Sequence, residues 1–125
     1  GDMNDDPNNK SMTEGLQCKH KLKDVRSEHD LYNPWWDTLY KVGQGSLLYD
    51  GKWNLFDQIV LSGNLISQDR SNLAFYRHEV FVRDYLFQQE GKYRGNPKRT
   101  HAGGVWLNGY SDHLPTIVYL VKELK

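Results

Sequence analysis

The sequence predicts a single domain of the α+β class. Its 125 residues are enough to bury one hydrophobic core but not two. A hydrophobic fraction of 38%, with four Trp, eight Tyr and four Phe, favours a folded chain over a disordered one. Short segments with strand patterns and short segments with helix-start signals both occur, so strands and helices are expected to share the core.

Two short helices are predicted in the first third of the chain. The Asn-Asn pair at 8–9 provides N-cap residues for a helix around Lys10–Cys18, with Met12 facing the core. The Asn-Pro pair at 33–34 combines a cap with proline at a first helical position, which predicts a helix through Tyr40.

Strands are expected at several places. A short strand is predicted near residues 22–25. Residues 46–49 and 52–55 flank an Asp-Gly pair, which predicts a β-hairpin with a tight turn. The second arm is expected to continue as a buried strand to residue 62. Residues 116–121 are rich in β-branched and aromatic side chains and predict another buried strand.

Two segments carry weaker patterns. Residues 73–86 are compatible with either a strand or a helix. Residues 88–104 are rich in Gly, Lys and Arg and predict a long loop, a feature that tends to be functional or mobile in compact domains. The basic side chains of this loop either guide a phosphate towards a site or form a solvated surface; they are Lys92, Arg94, Lys98 and Arg99.

Composition argues against several classes of function. Sixteen basic and sixteen acidic residues cancel, so no overall field attracts nucleic acid or an anionic membrane. Cys18 is the single cysteine, which leaves neither a disulfide framework nor a cysteine-based zinc site. The longest apolar runs are too short to cross a bilayer.

Five polar residues stand out: one within a predicted apolar strand, two just before another, and two at the start of the chain. Asp57 interrupts a predicted core strand, where an ionised carboxylate is costly unless it is paired. Asp112 and His113 precede the last strand, and Asp2 and Asn4 alternate at the start of the chain. Carboxylates, an amide and an imidazole at strand ends are suited to phosphoester hydrolysis with Mg²⁺. The same pattern equally fits a turn capped by Asp57 and a frayed terminus at Asp2.

Aromatic and imidazole side chains also allow two interpretations. Trp35, Trp36 and Trp53 either stack on a ring of a substrate or pack in the core, and packing is favoured for at least two of them. His78 lacks the spacing of a metal ligand and is interpreted as a surface residue.

Three segments resemble, in the right order, the last three signature segments of the endonuclease/exonuclease/phosphatase family. They are "GDMND" (1–5), "WNLFDQIVLS" (53–62) and "GYSDHLP" (109–115). The resemblance implies the DNase I-like fold, a four-layer α/β/β/α sandwich with a mostly antiparallel or mixed sheet. It is strongest to uncharacterised bacterial hydrolases of the family. Upstream of the first segment, family members carry an Asn and a Glu that bind the principal Mg²⁺. Residues 1–125 are therefore expected to be the C-terminal half of the domain and to be inactive alone.

The resemblance also implies a role for each matching residue. Asp2 would orient or deprotonate the attacking water, and Asn4 would bind the scissile phosphate. His113 would contact a non-bridging phosphate oxygen, and Asp57 would hold His113 in one tautomer. Asp112, together with Asp2, would bind a divalent cation, Mg²⁺ or Mn²⁺.

The partners expected from these assignments are a phosphoester substrate and the missing N-terminal half of the domain. The substrate is left open among nucleic acid, phosphoinositide, phospholipid and small phosphoesters. An uncovered sheet face also predicts self-association. A second hypothesis is a non-catalytic module that keeps the fold and binds a phosphorylated ligand or a protein. The expected substrate-binding residues are Asn4, His113, Arg99 and Trp53.

Overall fold

The structure is a computed structural model that describes residues 1–124 of the chain. Short strands are mixed with few helical segments, which confirms the α+β class, while the four-layer sandwich stays a prediction. The described residues contain nine strands: Cys18–Lys19 (β1), Leu31–Tyr32 (β2), Leu47–Tyr49 (β3), Lys52–Asn54 (β4), Leu61–Ser62 (β5), Ala74–Val80 (β6), His101–Ala102 (β7), Val105–Trp106 (β8) and Thr116–Val121 (β9).

The helical segments are short. The helix predicted after the Asn-Pro pair is confirmed: it is α-helical at Trp35–Asp37 and continues as a π-helix at Thr38–Val42. The Asn33 side chain accepts the Trp35 N–H at 3.1 Å, and Gly43 ends the helix with a φ of 80°. Within residues 1–124, none of the helical segments has the length and apolar character that a membrane-spanning helix requires.

Two of the early predictions need correction. The first helix is a π-helical turn at Ser11–Gly15, shorter than predicted, because Gln17 takes a φ of 55° before the chain enters β1. The strand expected near residues 22–25 is wrong, since Leu22–Asp24 forms a 3-10 turn. Further 3-10 turns lie at Gly63–Leu65 and Asp84–Leu86.

The sheets are small and mainly antiparallel. β2 pairs in parallel with β1 and antiparallel with β5. The remaining described pairs are antiparallel: β3 with β4, β6 with β9, and β7 with β8. The predicted hairpin is confirmed, with Asp50 and Gly51 at φ values of 51° and 74°, as a tight I′ turn requires.

The later strands differ in part from expectation. The segment 73–86 begins as strand β6 and ends as a 3-10 turn, which resolves its ambiguous pattern. The strand expected to run on to residue 62 is wrong over most of its length, since only β5 at its end is a strand. The last strand is confirmed as β9 but is only half-buried, and Leu120 is 41% exposed.

One cluster of buried side chains forms the core beside the segments that carry Asp57 and His113. It contains Trp35, Leu55, Val80, Leu86 and Leu114. Leu55 lies two residues before Asp57, and Leu114 directly follows His113. The packing of two tryptophans is confirmed, because Trp35 is fully buried and Trp53 packs against the cluster. The core therefore fixes the backbone on which both polar residues stand.

His78 in β6 is half-buried, so its interpretation as a surface residue is wrong. Its ring meets the Trp35 ring edge-to-face at a centroid distance of 4.9 Å, and its Nε2 lies 2.9 Å from the Thr38 hydroxyl. Burial lowers the pKa of His78, although the Pro34 backbone and the Asp37 carboxylate act in the opposite direction. A neutral imidazole is thus part of the packing between β6 and the helix.

This packing predicts a loss of stability in mild acid. The folded chain binds a proton at His78 less tightly than the unfolded chain does. The stabilisation is therefore complete above the ordinary histidine pKa of about 6.5 and is lost as the pH falls below it. We expect His78→Gln to reduce the difference in free energy of unfolding between about pH 7.5 and about pH 5.5, measured by urea denaturation. His29→Gln, at an exposed histidine, should leave the difference unchanged. An equal difference in wild type and His78→Gln would contradict the assignment.

Candidate active site

The first segment of the chain joins the Asp57 segment through a short antiparallel bridge. Asp2 pairs with Asp57. The Met3 N–H donates to the Phe56 carbonyl at 2.8 Å. Directly opposed residues of an antiparallel pair carry their side chains on the same face. The carboxylates of Asp2 and Asp57 therefore share one side of the bridge.

Asp57 also contacts the segment that contains His113. Its Oδ2 lies 2.7 Å from Nδ1 of His113 and accepts the Ser46 hydroxyl at 2.6 Å. The side chains of His113 and Asp57 are mostly shielded, with exposures of 22% and 20%. Since an ionised carboxylate only accepts hydrogen bonds, Nδ1 of His113 is the donor. The contact that the family resemblance implies between Asp57 and His113 is therefore present.

The backbone around His113 is fixed by β3 and by the core. His113 forms an isolated bridge with Leu47, and the Leu114 N–H donates to the Ser46 carbonyl at 2.6 Å. The Ser111 hydroxyl accepts the His113 N–H at 3.0 Å. Leu114 is 3% exposed, so the residue after His113 is anchored in the core. The imidazole consequently projects from a backbone with little freedom.

Asn4 stands in an uncommon backbone conformation. Its φ is 54°, a left-handed value that asparagine tolerates better than most residues. Its N–H donates to Oδ1 of Asp2 at 2.9 Å, which closes an Asx turn. Both side chains are exposed. The turn joins Asp2 and Asn4 into one unit that solvent or a ligand can reach.

The sequence reasoning missed the residue that attaches this unit to the fold. Gln58 is fully buried, and its Nε2 donates to the carbonyls of Asp5 and Leu55 at 2.7 and 2.9 Å. Its Oε1 accepts the Asn33 amide at 2.7 Å, and the Asp6 carboxylate accepts the Leu55 N–H at 2.8 Å. A glutamine directly after Asp57, inside an apolar run, was the signal that could have revealed it.

Asp112 lies apart from the other acidic residues of the site. Its exposed carboxylate is 3.6 Å from the Arg99 guanidinium, which forms a surface ion pair. Asp112 and Arg99 line a groove of about 1020 Å³ that Lys92, Tyr49 and Tyr93 also line. The groove therefore runs between the β3–β4 hairpin and residues 88–104, named the basic loop here although β7 lies within it, and it reaches Asp112, next to His113.

Gly109 allows the basic loop to approach the His113 turn. A Cβ at position 109 would collide with the carbonyl oxygens of Lys98 and Arg99. The Thr100 hydroxyl donates to the Gly109 carbonyl at 2.9 Å. The basic loop and the turn before His113 are thus held together by backbone contact.

Trp53 occupies a different setting from the polar residues. It lies in β4 opposite Leu48 of β3, and its partly buried ring packs against the core. Its contact with a substrate stays a prediction.

Three of the predicted residues come together as a group. One ligand atom from each of Asp2, Asp57 and His113 lies within 4.8 Å of the other two. Two carboxylates at this separation repel each other unless a proton or a cation offsets their charge. The arrangement has the chemical capacity to hold a divalent cation beside an imidazole, or to bind an anion through the imidazolium.

Comparison with known proteins identifies the family. Searches of curated proteins and of solved structures gave no significant match. A family model described as "Endonuclease/Exonuclease/phosphatase family" matches residues 1–122, nearly the whole chain. The chain therefore belongs to the endonuclease/exonuclease/phosphatase family.

Proposed function

We propose that this chain provides the phosphate-binding and water-orienting groups of a metal-dependent phosphoester hydrolase. Family membership supports a function of the phosphoesterase or nuclease type. The observation that carries the proposal is the 2.7 Å contact between Asp57 and His113, with the Asp2 carboxylate beside them. An oriented imidazole and a neighbouring carboxylate are the groups that acid–base chemistry at a phosphate requires.

His113 is the proposed donor to the phosphate. Its Nδ1–H is engaged by Asp57, so Nε2 is the ring nitrogen that remains for the substrate. In the imidazolium form both ring nitrogens donate, and Nε2–H then binds a non-bridging phosphate oxygen. Such a donor stabilises the negative charge that develops in the transition state.

Asp2 and Asn4 are the proposed water-orienting and phosphate-binding residues. The Asx turn between them keeps one carboxylate oxygen of Asp2 on the Asn4 N–H. The Asp2 carboxylate accepts a hydrogen bond from the attacking water and can take its proton. The Asn4 side-chain amide donates to the scissile phosphate. Both residues are exposed, as contact with a substrate requires.

The acidic residues fit a hard divalent cation. Carboxylate oxygens are preferred ligands of Mg²⁺ and Mn²⁺, and Mg²⁺ commonly uses one or two of them together with water and substrate phosphate. Asp2 is the residue that would hold the ion, because Asp57 is engaged by Ser46 and His113. Asp112 would contribute after leaving Arg99. When bound, the ion offsets phosphate charge and positions the reacting oxygens.

The groove beside Asp112 supports a substrate with a substituent larger than phosphate alone. Arg99 and Lys92 provide cationic groups along it, and Tyr49 and Tyr93 provide rings. Guanidinium and ammonium groups bind phosphate oxygens, and exposed rings stack on planar groups. We therefore propose that one ester substituent of the substrate lies in this groove, next to the His113 turn.

Residues 1–125 are further proposed to form the C-terminal part of a larger domain of this family. The described residues bring together two carboxylates and one imidazole, and the family resemblance assigns a further Glu and Asn to the principal metal. A site without those ligands should hold the ion weakly. Negligible hydrolysis is therefore expected from the 125-residue chain alone.

The role of His113 is tested in a protein that carries the whole domain. We expect His113→Ala to lower kcat by about 10³-fold or more, because a charge-stabilising donor is lost from the transition state. The assay is hydrolysis of bis(p-nitrophenyl) phosphate with Mg²⁺ and with EDTA, and circular dichroism checks the fold. His101→Ala, at an exposed histidine that packs edge-to-face on Trp106, is the matched control and should keep full activity. Full activity in His113→Ala would contradict the proposed role of His113.

The metal assignment is tested with Mn²⁺ and the 125-residue chain. Mn²⁺ broadens the NMR signals of nearby amides, and we expect this effect to centre on Asp2, Asn4 and His113. Asp2→Asn should weaken the effect more than Asp112→Asn does, because Asp112 is already paired with Arg99. Asp69→Asn, at an exposed carboxylate that binds Ser71, should change nothing. Broadening centred on Asp112 would contradict the assignment.

A further inference from the structure

Ser46 lies directly behind the Asp57 carboxylate. It is fully buried, and its hydroxyl donates to Oδ2 of Asp57 at 2.6 Å. The same oxygen is 2.7 Å from Nδ1 of His113. One carboxylate oxygen thus accepts two hydrogen bonds, and the Ser46 hydroxyl sets the direction in which Asp57 presents it to the imidazole.

The backbone of Ser46 connects the same segments. Its N–H donates to the Asn54 carbonyl at 2.8 Å, and its carbonyl accepts the Leu114 N–H at 2.6 Å. Leu114 directly follows His113, so this backbone hydrogen bond fixes the Ser46 hydroxyl relative to the His113 imidazole. Ser46 is therefore attached to the hairpin, to the Asp57 side chain and to the His113 turn at the same time.

Gly45 allows the chain to place Ser46 at this position. A Cβ at position 45 would collide with the Asn54 carbonyl oxygen and press on the Cβ of Trp53. The chain can approach β4 this closely only without a side chain at position 45. The Gly45-Ser46 pair thus brings a buried hydroxyl to a carboxylate that no other described side chain except His113 hydrogen-bonds.

We propose that Ser46 is a positioning residue of the hydrolase site, which acts through Asp57 to fix the tautomer and the orientation of the His113 ring. The expected effect of Ser46 on hydrolysis rests on the proposed function. Its expected effect on the His113 ring rests on the contacts alone. Without the hydroxyl, the Asp57 carboxylate can rotate or take up water, and Nδ1–H loses its fixed acceptor. The ring then populates both neutral tautomers.

The first measurement uses the 125-residue chain and ¹⁵N-labelled histidine, because ring ¹⁵N shifts report which nitrogen carries the proton. His113→Gln identifies the His113 signals. At a pH at which the His113 ring is neutral, we expect a single Nδ1–H tautomer in wild type and a mixture of two tautomers in Ser46→Ala. Ser46→Thr retains the hydroxyl and should retain the single tautomer. If the added methyl group of threonine unfolds the chain, Ser46→Cys is used instead. Its thiol is a weaker donor, so we expect a fraction of the Nδ1–H tautomer between those of wild type and Ser46→Ala.

Thr38→Val is the matched control. Thr38 is also buried, and its hydroxyl contacts a histidine, His78, at 2.9 Å. The substitution removes a comparable hydrogen bond, so it should lower stability without changing the His113 signals. If Thr38→Val mixes the two His113 tautomers as strongly as Ser46→Ala does, the effect of Ser46 is one of general stability. That result would overturn the proposal.

The second measurement uses the whole domain and phosphoester hydrolysis. We expect Ser46→Ala to lower kcat by about 10- to 100-fold, the usual cost of losing a group that orients a functional histidine, with KM unchanged. In an Asp57→Asn background the same substitution should have little further effect, since Ser46 acts through that carboxylate. Additive effects in the double variant would overturn the proposal. Absence of hydrolysis in wild type would instead contradict the proposed function, and the ¹⁵N result would then decide the role of Ser46.

Discussion

Three chain segments meet at the site because Oδ2 of Asp57 accepts hydrogen bonds from both Ser46 and His113, at 2.6 and 2.7 Å. A mostly shielded carboxylate is costly unless its charge is hydrogen-bonded, and these two donors provide that compensation. Asp57 in turn pairs with Asp2 through the backbone, which brings the first segment to the same place. If Asp57 were removed, the buried Ser46 hydroxyl and His113 would both lose their partner.

Buried residues lie on the inner side of this site and exposed residues on the outer side. Leu55 and Leu114 are buried in the core close to Asp57 and His113, whereas Asp2 and Asn4 are exposed. Gln58 links the two sides, because its side chain donates to the carbonyls of both Asp5 and Leu55. This arrangement suits a reaction site, in which fixed groups must meet a substrate that arrives from solvent.

The local pattern was sufficient to predict the β3–β4 hairpin, whereas the grouping of Asp2, Asp57 and His113 needed the family resemblance, since their residue types and spacing fitted a turn cap and a frayed terminus equally well. The hairpin was predictable because its Asp-Gly turn is a local signal. Ser46 and Gln58 were not, because their importance arises from partners that are distant in sequence: Ser46 bonds Asp57, and Gln58 bonds Asn33 and Asp5. The strand predicted through residues 56–60 is wrong for the same reason, since an apolar pattern does not reveal whether a neighbouring strand is present to pair with it.

The proposed phosphate site of Asp2, Asn4, Asp57 and His113 is tested by mapping phosphate binding on the 125-residue chain. Inorganic phosphate would be titrated in the presence of Mg²⁺ while backbone amide signals are followed by ¹H–¹⁵N NMR. We expect saturable shifts at the amides of Asn4, Asp57 and His113, and we expect Asp57→Asn to weaken them. Shifts confined to the basic loop 88–104, with none at Asn4 or His113, would contradict the proposed site.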